Sequence, residues 1–449
     1  MTARALAGRN GLRIWHVAES YPPVYGGGAA IFIRDACHAL AKRGHDVRVL
    51  STGQWDGEPY KVRTDRDGPI EVRRVNLPYF RSTDPDGWEL GLRKWREHER
   101  RVATVIEDAL AEWRPDLVVY STTRPLGEQC LITLRRHGLP IIGWLHEAWL
   151  ICPRIMLLRS PTSMPCSGPG TVKCLECMYS EYDGTHTRAA LKLSWRIPRI
   201  GVYFAYRIRR RAIARRQLIG ALAYSDFMVI ANRPHIRGPV LNVPMGINLE
   251  DLPGEHPMRP RDPFRFGFMG GFQPNKGIWD VLDAAAALKR DGFDFELHIW
   301  GPEQEAADEE LVERDLGDRV VLHGMYQGPG IWAAYDAIDV AIIATTVPEP
   351  FGRIPVEAAA AGAPTIGARV GGITESIRHE VNGLLFDFRD GADLTRQMQR
   401  ILEEPGLYDK LREGLAPPVD TRTTGAAVEA AYRAVLASAD IESHTMGRN

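Results

Sequence analysis

Two successive series of strand, glycine-bearing turn and helix predict an α/β chain with two Rossmann-like domains, each built on a parallel sheet. Three observations carry this. L-R-I-W-H-V (Leu12–Val17) runs into the glycine-rich Y-P-P-V-Y-G-G-G and then a helical stretch. F-R-F-G-F-M-G (Phe264–Gly270) opens the same sequence of elements a second time. D-V-A-I-I-A-T-T (Asp339–Thr346) leads through E-P-F-G-R-I-P-V-E (Glu349–Glu357) into V-E-A-A-A-A-G. That last stretch is strand, loop and helix, so its loop lies at the carboxyl end of a strand, where open α/β sheets bind ligands.

The chain has 449 residues, which suggests two or three domains. A formal net charge of −1 gives no overall nucleic-acid character. Met1–Asn10 lacks the apolar core of a secretory signal, and no apolar run approaches the ~18 residues of a membrane span. A cytoplasmic location is expected.

In the first domain, a helix with Ile31, Ile33, Ala36 and Leu40 among its apolar positions ends at Gly44, and Asp46–Leu50 is a second strand. Glycines in such a first turn let backbone approach a phosphate without a Cβ clash. Trp95, Val102, Ile106, Ala109 and Trp113 mark an amphipathic helix over 92–113, ended by Pro115. Asp116–Tyr120 and Pro140–Glu147 are strands, the second delivering His146 to its carboxyl end. Phe227–Asn232 reads as the last strand before a linker over 244–263.

In the second domain, a helix over 278–289 follows the loop G-F-Q-P-N-K-G (Gly271–Gly277). A lysine at a strand-to-helix turn suits a diphosphate. Phe295–Trp300, Val320–Leu322 and Asn382–Phe386 are further strands, and Gly371 and Gly372 suit close backbone approach. The helix opening near Ile354 is expected to point free N–H groups at the Glu349 loop as a phosphate seat. Glu349 and Glu357 repel phosphate and are better suited to accept hydrogen bonds from sugar hydroxyls. A nucleotide sugar supplies both chemistries.

The form E-P-F-G-x-x-P-x-E-A-x-A-x-G resembles the retaining glycosyltransferases of family 4, which have the two-domain GT-B fold with parallel sheets facing across a cleft. The resemblance covers about Leu12–Leu436. It implies transfer of a sugar from a UDP- or GDP-type nucleotide diphosphate sugar, with no divalent metal needed for chemistry. It gives Glu349 the transferred sugar near its reacting carbon and Glu357 the nucleotide ribose. Phe351, Gly352, Arg353 and Ile354, which carry the loop into the helix, join the donor site. His146, in an H-E dipeptide, is given the transferred sugar. Lys276 takes the diphosphate, with Gly271 where the family has an arginine. Gly27 and Gly28 match the family's glycine pair, with Ala30 where a glutamate often stands. Met325 and Tyr326, in the turn after H-G, read the base through backbone groups. The implied domains are 1–250 on the acceptor side and 251–419 on the donor side, with a helix over about 420–440 packing back on the first. A sugar-nucleotide epimerase and a binding scaffold that has lost turnover are the alternatives.

The resemblance weakens in two stretches, although in the first a subset of family 4 sequences looks similar, with H-D-x-W-x-x-C-P followed by a Cys-rich loop. Cys152, Cys166, Cys174 and Cys177 fall in a Pro-, Gly- and Ser-rich loop over 152–177 that cannot bury its own core. A structural zinc on four thiolates would order it. Free thiols, disulfides and an iron–sulfur cluster are the other readings, and a reducing cytosol favours metal. Cys37 and Cys130 read as buried helix residues. From Gly184 to Ser225 there are ten Arg or Lys and no acid, with aromatics interleaved. This segment reads either as helices packed with a solvated basic face or as a surface for an anionic membrane, where a lipid-linked acceptor would lie.

Overall fold

The structure, a computed structural model, describes residues 3–24, 27–77, 91–122, 126–160, 162–183, 198–249, 252, 260–302, 307–325 and 330–443. The chain divides into two compact units, Met1–Gly246 with Thr421–Asn449, and Ile247–Asp420.

The first unit is built on an eight-stranded sheet. Its strands are β1 (Arg13–Val17), β2 (Asp46–Gly53), β3 (Val62–Asp67), β4 (Ile70–Asn76), β5 (Leu117–Tyr120), β6 (Ile141–Trp144), β9 (Gly220–Ala223) and β10 (Val240–Asn242). A separate two-stranded hairpin, β7 (Leu158–Arg159) and β8 (Met164–Pro165), lies in the cysteine loop. The sheet order is β10-β9-β6-β5-β1-β2-β4-β3, parallel except for the edge pair β3–β4. Strands β5 and β6 are apolar and covered on both faces, as parallel strands require, and β1 is buried from Ile14 to Val17. One core, with Trp95, Val102, Ile106, Leu131 and Phe204, joins the sheet to the helices Gly91–Glu112, Gln129–Arg136 and Pro198–Arg215. The closing helix Thr421–Ser443 belongs to this unit and buries Val428, Tyr432, Val435 and Leu436.

Two elements differ from the sequence expectation. Phe227–Asn232 is not a strand. It lies in the helix Asp226–Asn232, because Ser225 caps that helix by accepting a hydrogen bond from Met228 N at 3.2 Å. The buried strand there is Gly220–Ala223, too short and too glycine- and alanine-rich to announce itself. The β3–β4 hairpin was also unread, although Asp67-Gly68 between two alternating runs is a hairpin signal.

The second unit has six parallel strands: β11 (Phe264–Phe268), β12 (Phe295–Trp300), β13 (Val320–Gly324), β14 (Val340–Ile343), β15 (Thr365–Ala368) and β16 (Gly383–Phe386). Their order is β13-β12-β11-β14-β15-β16. The order reverses between β11 and β14, and the loops leaving those two strands therefore diverge to opposite faces and open a crevice. Phe266, Leu297, Ile342 and Leu384 fill one face against the helices Ile278–Arg290 and Gly391–Glu403. Trp300, Trp332, Tyr335 and Ala358 fill a second core. No helix among the described residues is long and apolar enough to cross a membrane.

Candidate functional site

In the second unit the predicted donor residues gather at the carboxyl ends of β11 and β14. Thr346 N donates to Asn275 O at 3.1 Å, tying the loop after β14 to the turn that carries Lys276. Lys276 Nζ then reaches Glu349 Oε1 at 2.8 Å, and Thr345 Oγ1 lies 3.4 Å from the same oxygen. Both charged side chains keep solvent access, 33% and 18% of their surface. Beneath them Gly372 N donates to Glu349 O at 2.9 Å. A Cβ at Gly371 would sit 2.3 Å from Glu349 O, and its φ of +58° also favours glycine. The glycine pair is thus the floor that sets the height of Glu349.

Glu357 is buried on the short helix Ile354–Ala360. Its Oε1 accepts from Arg353 Nε and its Oε2 from Tyr335 Oη at 2.9 Å. The tyrosine comes from 22 residues upstream, and no sequence signal links it to the motif.

The geometry bears on three of the expectations. The helix after Gly352 offers fewer free N–H groups than expected: it is seven residues long, Pro355 has none, and Val356 N and Glu357 N both donate to Arg353 O at 3.1 Å, which leaves Ile354 N in its first turn. Position 271 does not merely lack the family's arginine; it cannot hold one in this backbone. Gly271 has φ +56°, its N–H donates to Trp300 O at 2.8 Å, and a Cβ would lie 2.2 Å from Pro302 O. Of the base-reading pair, Met325 is exposed just past β13, and Tyr326 lies outside the described residues. Phe351, Gly352 and Ile354 are half-buried along the loop.

In the first unit, Gly27 and Gly28 open the helix Gly27–Lys42. The turn before them is clamped from below. Arg74 donates to Tyr21 O at 2.7 Å and Pro22 O at 2.6 Å, and Tyr21 Oη, Arg34 and His38 converge on Asp67 Oδ2. His146 lies two residues past β6. Its ring sits 5.2 Å from those of Trp144 and Tyr224, and 6.2 Å from Phe32 on the helix that Gly27 opens. Burial, with His16 as a second cause, holds its pKa well below the ordinary value, so it is a neutral imidazole at pH 7. His16, on β1, was not foreseen: it is fully buried and packs on Trp144 at 5.5 Å.

The cysteine loop folds around one small cavity of about 20 Å³ lined by Cys152, Cys166, Cys174 and Cys177, with Arg154, Arg159 and Lys173. Cys174 and Cys177 share a face of the helix Thr171–Asp183, and Cys166 follows β8. Ser160 N donates to Cys177 Sγ at 3.3 Å and Gly170 N to Cys174 Sγ at 3.4 Å. All six cysteines are free thiols, with Cys37 and Cys130 buried on helices. Among the described residues no three His, Cys, Asp or Glu side chains already converge as a metal site.

The basic segment turns part of its charge inward. Arg188, Lys192 and Arg196 lie outside the described residues. Arg207 and Arg211 are buried, 3.6 and 3.7 Å from the fully buried Glu128, and the Arg207 guanidinium covers Trp95 at 3.9 Å. Arg210 lies 3.7 Å from Glu99 and donates to Gln129 Oε1. Arg209 and Arg216 are exposed. The inward arginines serve packing, as a buried carboxylate demands.

Residues 255–415 match the family model of glycosyl transferases group 1, and residues 27–171 that of the glycosyl transferase 4-like domain. Similar curated proteins include the lipopolysaccharide core biosynthesis glycosyltransferase LpsD of Rhizobium meliloti, 29% identical over 38% of this chain and 49% of that protein. The 2-deoxystreptamine glucosyltransferase of Streptomyces kanamyceticus is 32% identical over 33% and 39%. The chain spans less than half the length of these relatives. Among solved structures, sucrose-phosphate synthase from Thermosynechococcus elongatus superposes with a TM-score of 0.63 at 16% identity, covering 97% of this chain and all of that one. HepE of Anabaena, in complex with UDP and glucose, gives 0.55 at 18%, covering 98% and 100%. At such identities the shared property is the fold.

Proposed function

We propose that this chain, a GT-B glycosyltransferase by its fold and its two matched domains, moves a sugar from a nucleoside diphosphate sugar to an acceptor in the cytoplasm with retention of configuration. The observation that carries the reading is the Lys276–Glu349 pair at the point where the second sheet reverses its strand order. A cation and a hydroxyl acceptor side by side match a substrate in which a phosphate oxygen and a sugar meet at one carbon. The UDP and glucose bound by HepE support a UDP-type donor.

The leaving group is a nucleoside diphosphate whose negative charge grows as the glycosidic bond breaks. Lys276 is placed to meet that charge, which preorganised electrostatics does more cheaply than water. Glu349 accepts from the sugar and Glu357 from the ribose. His146, on the first unit, is a neutral imidazole that can donate or accept one hydrogen bond without adding charge. Retention follows front-face attack by the acceptor.

Titration calorimetry of the purified protein with UDP- and GDP-sugars tests the donor, and acceptor-free hydrolysis tests turnover. Binding with slow hydrolysis whose first-formed sugar keeps its anomeric configuration supports the reading. Binding without any turnover favours the scaffold, and binding of no nucleotide sugar removes the function.

For the cysteine loop the reading is one structural metal ion, zinc first, taken up by rotation of the four side chains around their shared cavity. Two of the sulfurs, Cys177 and Cys174, already accept backbone N–H bonds, the outer contact a metal-bound sulfur makes, while burial raises the thiol pKa of Cys152 and Cys174, so metal uptake there must displace their protons. A lipid-linked acceptor at an anionic surface, the other expectation from the basic segment, rests on Arg209 and Arg216 among the described cations.

A further inference from the structure

Both carboxylates of the E-x7-E stretch are covered by cations from their own unit. Lys276 holds Glu349 at 2.8 Å, and Arg353 holds Glu357 from one helical turn away. A diphosphate entering this loop needs those cations, and it repels the two acids that they now cover.

Among the described residues of this loop the other sources of positive charge are few. Of the first N–H groups of the helix, those of Val356 and Glu357 are spent on Arg353 O and Pro355 has none, which leaves the single N–H of Ile354. Position 271 faces Pro302 O too closely to carry any side chain. Among the described side chains of this turn, Lys276 would then be left to balance most of a group carrying about two charges. The next cation along the loop is Arg353, the residue at which the helix begins. Its side chain keeps 18% of its surface in solvent while the Glu357 carboxylate beneath it keeps 4%, so the guanidinium sits on the outer side of the pair. A guanidinium fork also suits two phosphate oxygens at once.

We propose that Arg353 is the second cation of the diphosphate site, replacing the side chain that the Gly271 backbone excludes, and that donor binding draws it from Glu357 to the phosphates. This rests on the nucleotide-sugar reading. The exchange leaves no carboxylate stranded. Glu357 keeps the Tyr335 hydroxyl at 2.9 Å and takes ribose hydroxyls in place of the arginine. Each acid is thereby covered before the donor arrives and uncovered by it, so an empty site holds no bare buried charge.

The test is calorimetry of UDP, GDP, uridine and guanosine on wild type, Arg353→Ala, Arg353→Lys and Arg389→Ala, with melting curves as the control of folding. Arg389 is the nearby alternative, since it donates to Thr346 O at 3.4 Å. The expected result is a loss of about tenfold or more for the diphosphate in Arg353→Ala, the size of one charge-assisted bond, with nucleoside affinity within about twofold. Arg353→Lys, which keeps the charge, should recover part of that loss, and it carries the test if the alanine variant does not fold. Equal losses for nucleoside and diphosphate would make Arg353 only a support for Glu357 and overturn the proposal. So would a selective loss in Arg389→Ala alone. A wild-type chain that binds neither diphosphate fails at the earlier step and removes the nucleotide-sugar reading itself.

Discussion

Lys276 Nζ and Glu349 Oε1 are 73 positions apart in sequence and 2.8 Å apart in space. They meet because β11 and β14 are neighbours in the sheet although β12 and β13 lie between them in the chain. The pair is partly exposed, so it contributes at most about 1 kcal/mol to stability. Its significance is positional: it holds a cation and a hydroxyl acceptor at one spot before a ligand binds.

Replacing Lys276 by alanine should therefore damage turnover far more than folding. The expected loss in kcat/KM is about 100-fold, the scale of one transition-state donor, with a melting point nearly unchanged. Transfer near the wild-type rate would mean that the diphosphate is held elsewhere.

Arg207 should behave in the opposite way. It is buried against Glu128 and Trp95, so Arg207→Ala strips one of the two guanidiniums from a buried carboxylate, leaving only Arg211 of that pair beside it, and should cost about 3 kcal/mol in denaturant unfolding. Arg209→Ser, on the exposed face of the same helix, should stay within about 0.5 kcal/mol. Sedimentation with anionic vesicles separates the roles further. Any salt-sensitive binding should follow Arg209 and Arg216, and its dependence on Arg211 would contradict the packing described here.

Stability should fall on acidification through His16. Burial pushes its folded pKa down to about 3, against about 6.5 in the unfolded chain. Between those values the unfolded state binds a proton that the folded state refuses. The contribution is therefore complete above about pH 6.5 and is lost as pH falls toward 3, with a slope of up to about 1.4 kcal/mol per pH unit. His16→Phe should flatten the stability profile between pH 7 and pH 4.5. An unchanged slope would show that His16 titrates normally.

Freshly reduced protein should carry about one equivalent of zinc by metal analysis, and Cys174→Ser should lower both that content and the melting point. Well under one equivalent in the wild type, with no uptake from added zinc, would leave four free thiols around an empty cavity.

The sequence by itself determined the two β-α-β series, the strand–loop–helix around Glu349 and the placing of Lys276 and His146 at the ends of buried strands. Those are local patterns of apolar period, glycine and proline, written within ten or twenty neighbouring residues. It also marked Gly371 and Gly372 as close-approach positions, which the carbonyls of Glu349 and Pro350 explain. Only the tertiary structure decided where charges go. Ser225 turned an apolar run that reads as a strand into a capped helix. Glu128 drew Arg207 and Arg211 out of a face that reads as solvated. Tyr335 and Arg353 closed over Glu357, and Pro302 closed position 271 to any side chain. The physical reason is the same in each case. The energy of a buried charge or a crowded Cβ depends on atoms brought close by the sheet order, and residue spacing along the chain carries no record of which distant atoms those are.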